Sequence, residues 1–304
     1  MIEVDLGRRL DMASLGKLVT SLMRDDTQPV FIDISQLAWV EPCGIATLLA
    51  YIKFLQGAGI YVSVSENVFD GDVERYLQRI SFYKILQIEK DEGFHRRDSS
   101  GRFIETEIVD STASTDKISN SIAQIFLREP ELKNYMSYMI REIIANAVEH
   151  SGCLFGAVVC AQYWPQTNKA QFCVSDCGIG FKRHLSSQYN LKTDMEAIAL
   201  ALRKGVTGVI PGIYGNSFSN VGYGLYITKG LVAKSGGTLK IISGEGLFSV
   251  ENGYERNEGS LTRPWPGVVV SVELVNNNIK HCLKDCMSDI LKESEDKLVN
   301  IAFK

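Results

Sequence analysis

Three short clusters of polar residues and glycine interrupt the apolar second half of this chain, and each stands where a regular element must turn, end or expose a face. The first is Glu142-Ile143-Ile144-Ala145-Asn146-Ala147-Val148-Glu149-His150. The second is Val174-Ser175-Asp176-Cys177-Gly178-Ile179-Gly180-Phe181, and the third is Gly222-Tyr223-Gly224-Leu225-Tyr226-Ile227-Thr228-Lys229. They lie 34 (176 minus 142) and 46 (222 minus 176) residues apart. A fold for this chain has to accommodate a polar helix edge, an acidic strand end and a glycine hinge.

The first cluster sits on a helix. From Tyr135 to Val148, Met136, Met139, Ile140, Ile143, Ile144, Ala147 and Val148 recur at spacings of three and four. Glu142, Asn146 and His150 follow at i, i+4 and i+8, so they line up beside the apolar stripe. A carboxamide oxygen such as that of Asn146 can ligate Mg²⁺, which prefers oxygen ligands and bridges to phosphates. A carboxylate one turn earlier, Glu142, can orient or deprotonate a water near a terminal phosphate. An exposed polar face accounts for the same pattern taken alone.

In the second cluster, Phe172-Cys173-Val174-Ser175 reads as a buried strand closed by Asp176, and Gly178 and Gly180 let the backbone turn tightly against a flat ring. A carboxylate there can accept a hydrogen bond from the exocyclic amine of adenine, whereas guanine carries a carbonyl at that position. A plain strand and glycine turn fits equally. In the third, Gly222, Tyr223 and Gly224 precede the helical run Leu225 to Val232. Glycines before a helix present unshielded amides to an anion, reinforced by the helix dipole. Simple capping explains a lone pair of glycines as well.

Residues 1–88 have a different grain. Pro29 to Ile34 and Ile60 to Val64 read as strands, Cys43 to Leu55 as a helix stopped by Gly57-Ala58-Gly59, and Val73 to Leu86 as a second amphipathic helix. Alternating strands and helices imply parallel pairing with helices on the sheet. Phe31-Ile32-Asp33-Ile34-Ser35, followed by Val40-Glu41-Pro42-Cys43-Gly44-Ile45, resembles the STAS domain of anti-sigma-factor antagonists. Phosphorylatable members carry a serine or threonine where this chain has Cys43, which has no hydroxyl to phosphorylate. The resemblance therefore implies a docking or dimerising module and not a phosphoswitch.

Taken together and in order, the three clusters resemble the GHKL ATPases. Glu142 with Asn146 is similar to that family's N-box, Asp176 to Phe181 to its DxGxGF box, and Gly222-Tyr223-Gly224-Leu225 to its GxGL box. Gly236-Gly237-Thr238 and the strand Leu239 to Ser243 form the usual sequel. The likeness spans residues 103–275. The expected fold class is α/β: an N-terminal STAS-like α/β domain (1–88), a charged linker (89–101), a GHKL (Bergerat) α/β sandwich with a mixed sheet (102–275) and a helical tail (276–304). The resemblance implies ATP and Mg²⁺ as cofactors. It makes Glu142 the catalytic residue, Asn146 the metal ligand, and Asn146, Asp176, Gly178, Gly180, Gly222, Tyr223, Gly224 and Leu225 the nucleotide contacts. Phe181 to Val221 would be a lid, with a helix from Asp194 to Lys204 and a mobile stretch containing Gly205, Gly208, Gly212 and Gly215; Lys204, Thr207 and Lys229 are candidate phosphate contacts.

Three activities fit. The first is a Mg-ATP-dependent switch with slow hydrolysis, coupled to the STAS-like domain. The second is a serine/threonine kinase of the anti-sigma type acting on a separate STAS partner. The third is an interaction module that binds nucleotide without turnover. A histidine kinase needs a phosphoacceptor histidine on an upstream helical hairpin, and the only upstream histidine, His95, has no such surroundings.

With 304 residues, 45% apolar and 22% charged, the chain has the balance of an ordinary globular protein of two domains. A net charge of −4 supplies no field for nucleic acid or an anionic membrane. Seven scattered cysteines read as reduced thiols of a cytoplasmic protein. No apolar run approaches the roughly 18–20 residues of a membrane span, and no secretory signal opens the chain. The expected partner is another protein, through the STAS-like domain or the lid, or a second copy of the chain. The tail, with Ile279, Leu283, Met287, Ile290 and Leu291 at helical spacing, either packs back or joins a dimer.

Overall fold

Strand pairing is parallel in the first quarter of the chain and antiparallel in the rest. The computed structural model describes residues 1–23, 28–91, 93, 102–127, 130–206, 222–275 and 279–288. The N-terminal lobe runs β1 (Ile2–Asp5), β2 (Arg9–Leu10), α1 (Leu15–Leu22), β3 (Val30–Asp33), β4 (Trp39–Val40), α2 (Pro42–Gly57), β5 (Val62–Val64), α3 (Gly71–Arg79) and α4 (Phe82–Ile85). Strands β1, β3 and β5 form a parallel sheet in that order, and β2 pairs with β4 in parallel. Helical crossovers between consecutive strands allow this pairing, as the alternation predicts. The single helix expected from Val73 to Leu86 is two helices. Ser81 takes a left-handed φ of 65° between them, and its hydroxyl bonds Glu105 Oε2 at 2.6 Å. A continuous apolar period does not reveal such a break.

The remainder runs β6 (Phe103–Val109), α5 (Thr112–Phe126), α6 (Pro130–Glu149), β7 (Ala157–Trp164), β8 (Lys169–Ser175), α7 (Gly180–Leu185), α8 (Asp194–Ala201), α9 (Gly224–Ser235), β9 (Thr238–Glu251) and β10 (Tyr254–Val275). Five strands form one sheet in the order β6-β7-β8-β10-β9, and every pairing is antiparallel. The chain is thus mixed α/β, and among the described residues the sheet of this half is antiparallel throughout where a mixed sheet was expected. Strands β7 and β8 turn over Asn168, and β9 and β10 over Asn252 and Gly253, all at positive φ. An Asn-Gly pair with both residues at positive φ is a hairpin turn, so neighbours run antiparallel. The last hairpin also continues past Ser243, where the expected strand stops, to Glu251.

The two faces of this sheet differ in chemistry. Phe172, Val174, Val270 and Val272 enter a core with α5, α6 and α9. The alternate residues point the other way. Val158, Cys160, Cys173 and Val269 share a second core with α1 and α2 of the N-terminal lobe. Helix α2 therefore lies across the sheet and is buried along most of its length. Its amino end is closed by Gln171 of β8, which is 0% exposed. Gln171 Oε1 accepts the Cys43 N–H at 3.0 Å, and its Nε2 donates to Glu41 Oε2 at 3.0 Å. The α2 cap residue Glu41 makes no capping bond of its own, so an amide from a distant strand satisfies a donor the helix leaves open.

The helical segment 279–288 packs back on the molecule: Ile279 and Leu283 are fully buried in the core under α9. Ile290 and Leu291 lie outside the described residues. No helix among the described residues is long and apolar enough to cross a membrane.

Candidate functional site

One cleft of about 800 Å³, counted to its open mouth, lies between α6, the end of β8, α7 and the start of α9. All three polar clusters reach it. From α6 and the residue after it come Glu142, Asn146 and His150; from the β8–α7 junction Asp176 and Gly180; from the approach to α9 and its first turn Gly222, Gly224 and Leu225.

Glu142 is 5% exposed, and its Oε1 has no hydrogen-bond partner. Arg141 Nη1 stands 3.9 Å away, too far for a hydrogen bond, and the Arg141 guanidinium is engaged by Asp116 at 2.6 Å. Burial raises the Glu142 pKa above the usual carboxylate value; Arg141 opposes this and Glu149 adds to it. A buried acceptor without a hydrogen bond calls for an explanation such as a water, an ion or a ligand. Asn146, one turn on, is exposed on the same wall.

Asp176 is 1% exposed. Its Oδ1 accepts the Gly178 N–H at 2.8 Å, its N–H donates to Val268 O at 2.9 Å, and its carbonyl accepts the indole N–H of Trp265 at 3.0 Å. Burial pushes its carboxyl pKa up to about 7, against the lowering effect of the Gly178 bond. The carboxyl thus changes charge near neutrality.

The glycines hold the walls close. A Cβ on Gly224 would fall well inside contact with the Cβ of Glu142, so only glycine brings the start of α9 against α6. Gly222, at φ 68°, leaves no room for a Cβ against the Val206 carbonyl. Gly178 packs on the Ser151 backbone, and Tyr223 lies under the Lys204 ammonium, 5.8 Å from the ring centre. Lys229 is paired with Glu255 at 2.9 Å. Thr207 and the glycine stretch from Gly208 to Val221 lie outside the described residues. The first half of the expected lid is packed structure: Ala197 and Ile198 of α8 are fully buried.

Sequence reading missed His184 and Trp265 and gave Gly267 no role. His184 of α7 stacks on His150 at 5.4 Å, both rings lining the cleft, and burial lowers its pKa, with His150 adding to the effect. Gly267, at φ 114°, stands where a Cβ would come within 2.5 Å of the Asp176 carbonyl. Trp265 holds that carbonyl from behind. Only the proline flanks of Pro264-Trp265-Pro266 mark the last as unusual in sequence.

No protein-family model matches the chain, and a search of curated proteins gave no match.

Proposed function

We propose that the cleft binds Mg-ATP and that the chain is an ATP-dependent switch with slow hydrolysis: a GHKL-like nucleotide domain carrying a STAS-like lobe on the back of its sheet. The convergence of three segments, remote in sequence, on one cleft lined by a buried carboxylate, one oxygen of which accepts no hydrogen bond, carries this reading. Asp176 is the acceptor for the adenine amine, and the amides at the start of α9 face the phosphates. Glu142 is the base that orients the attacking water.

The donor set suits Mg²⁺. Among the described residues no group of three acidic, histidine or cysteine side chains gathers to cage a metal. Mg²⁺ typically takes one or two protein oxygens and completes its shell with water and phosphate. Asn146 would supply the oxygen, and the ion would neutralise phosphate charge. Burial of Cys43, at 0% exposed, and its bond to Gln171 favour a lobe docked on its own chain over one presented as a phosphoacceptor.

Isothermal calorimetry with ATP and Mg²⁺ tests binding; no heat at millimolar nucleotide sinks the reading. Incubation with γ-labelled ATP then separates free phosphate (the switch), label on an added STAS-type protein (a kinase) and neither (a binding module). Glu142→Ala should lower turnover by roughly 10²–10⁴-fold while nucleotide binding survives; undiminished turnover removes Glu142 from the chemistry.

A further inference from the structure

The end of strand β8 is held from behind by the N-terminal lobe. Trp265 is 1% exposed and donates its indole N–H to the Asp176 carbonyl at 3.0 Å. Its ring packs against Tyr51 of α2, centroids 6.1 Å apart at 36°, and Tyr51 is also 1% exposed. The next residue in the strand end, Cys177, directs its thiol to the Ala50 carbonyl of the same α2 turn at 3.5 Å. Gly267, two residues beyond Trp265, leaves the gap into which the Asp176 backbone fits. One turn of α2 therefore backs two successive residues of the acidic strand end.

We propose that Trp265, braced by Tyr51, is the positioning residue for Asp176, so that the seating of the N-terminal lobe sets how tightly and how selectively the cleft grips a purine base. This rests on the nucleotide reading of the cleft. Neither Trp265 nor Tyr51 lines the cleft, so neither touches the base. Their effect passes through the Asp176 main chain: the indole bond fixes the carbonyl, and the peptide plane it fixes aims the carboxyl. Loss of a buried hydrogen bond leaves the carbonyl without its donor and frees the strand end to shift. A shift of the acceptor weakens an amine-donating base and leaves a carbonyl-bearing one unaffected, so selectivity changes as well as affinity.

The test compares wild type, Trp265→Phe and Tyr51→Leu as full chains. Trp265→Phe keeps an aromatic ring and removes the donor; Tyr51→Leu removes the brace from the lobe side. Both should bind ATP about tenfold more weakly and lose discrimination of ATP against GTP, with circular dichroism like that of wild type. A purely structural role would lower the melting temperature and leave the ATP-to-GTP ratio of dissociation constants in place; that result overturns the proposal. If Trp265→Phe does not fold, Tyr51→Leu decides alone. A second measurement needs no nucleotide: the Asp176 carboxyl is titrated by carbon-13 NMR in each protein. Its midpoint should fall in the variants, as water reaches a loosened strand end, and an unchanged midpoint overturns the positioning role. If wild type takes up no nucleotide, the functional reading fails while this titration still decides the role of Trp265.

Discussion

Asp176 binds its proton more tightly in the fold than in the unfolded chain, and that difference has a measurable sign. Its carboxyl is raised from 3.8 to about 7 by burial. Below the unfolded value both states are protonated and nothing is lost. Between the two values the folded state must either hold a proton that the unfolded chain releases or bury a charge. Stability contributed by this group therefore falls as pH rises through about 7, by on the order of a few kcal/mol. Asp176→Asn carries no such charge. In urea unfolding the variant should gain on wild type as pH rises from 5 to about 7 and level off above that, while losing affinity for ATP. A stability difference that stays flat across that range would show that the carboxyl is not held as the fold implies. Glu142 follows the same logic in direction, with an oxygen that accepts no hydrogen bond where Asp176 has a donor.

At the scale of elements, the contact between α6 and α9 sets the width of the cleft. Gly224 is the first residue of α9, where alanine would ordinarily favour the helix by roughly 1 kcal/mol. Here the added methyl meets the Cβ of Glu142, which belongs to a packed helix and cannot swing away. Overpacking of that kind typically costs about 1–3 kcal/mol, so the clash wins. Gly224→Ala should lower the melting temperature and weaken nucleotide binding together, because the start of α9 must retreat from Glu142. A variant as stable as wild type, with unchanged affinity, would mean that the two helices have slack between them. The helices themselves were readable in advance. Apolar residues three and four apart placed α2, α6, α8 and α9, since one buried stripe is enough to specify a helix. The break at Ser81 was not, because a left-handed residue leaves the apolar period intact.

At the scale of the whole molecule, the five-stranded sheet is shared. Its aliphatic face belongs to the cleft side, and its other face, with Gln171, Cys160 and Cys173, belongs to the N-terminal lobe. Two domains joined only by a linker unfold independently, whereas two that share a buried layer tend to unfold together. In a Trp39→Phe, Trp164→Phe background, fluorescence from Trp265 reports that layer, and far-ultraviolet circular dichroism reports all elements. The two denaturation curves should superimpose; two separated transitions would mean that the lobe is merely tethered.

The sequence by itself determined helices α2, α6, α8 and α9 and the three polar clusters that meet in the cleft. Glu142, Asn146, Asp176 and the glycines around them were legible because local rules govern them: helical spacing, a strand end, and backbone angles or close approaches that suit glycine. Tertiary structure alone decided that Gln171 would close α2, that Trp265 would hold Asp176, and that the lobe would lie on the sheet. Those contacts join residues about 90 to 130 apart in the chain. No period or motif encodes which distant surface a buried amide or indole will meet; that choice is made when two faces pack and their open donors and acceptors must find each other.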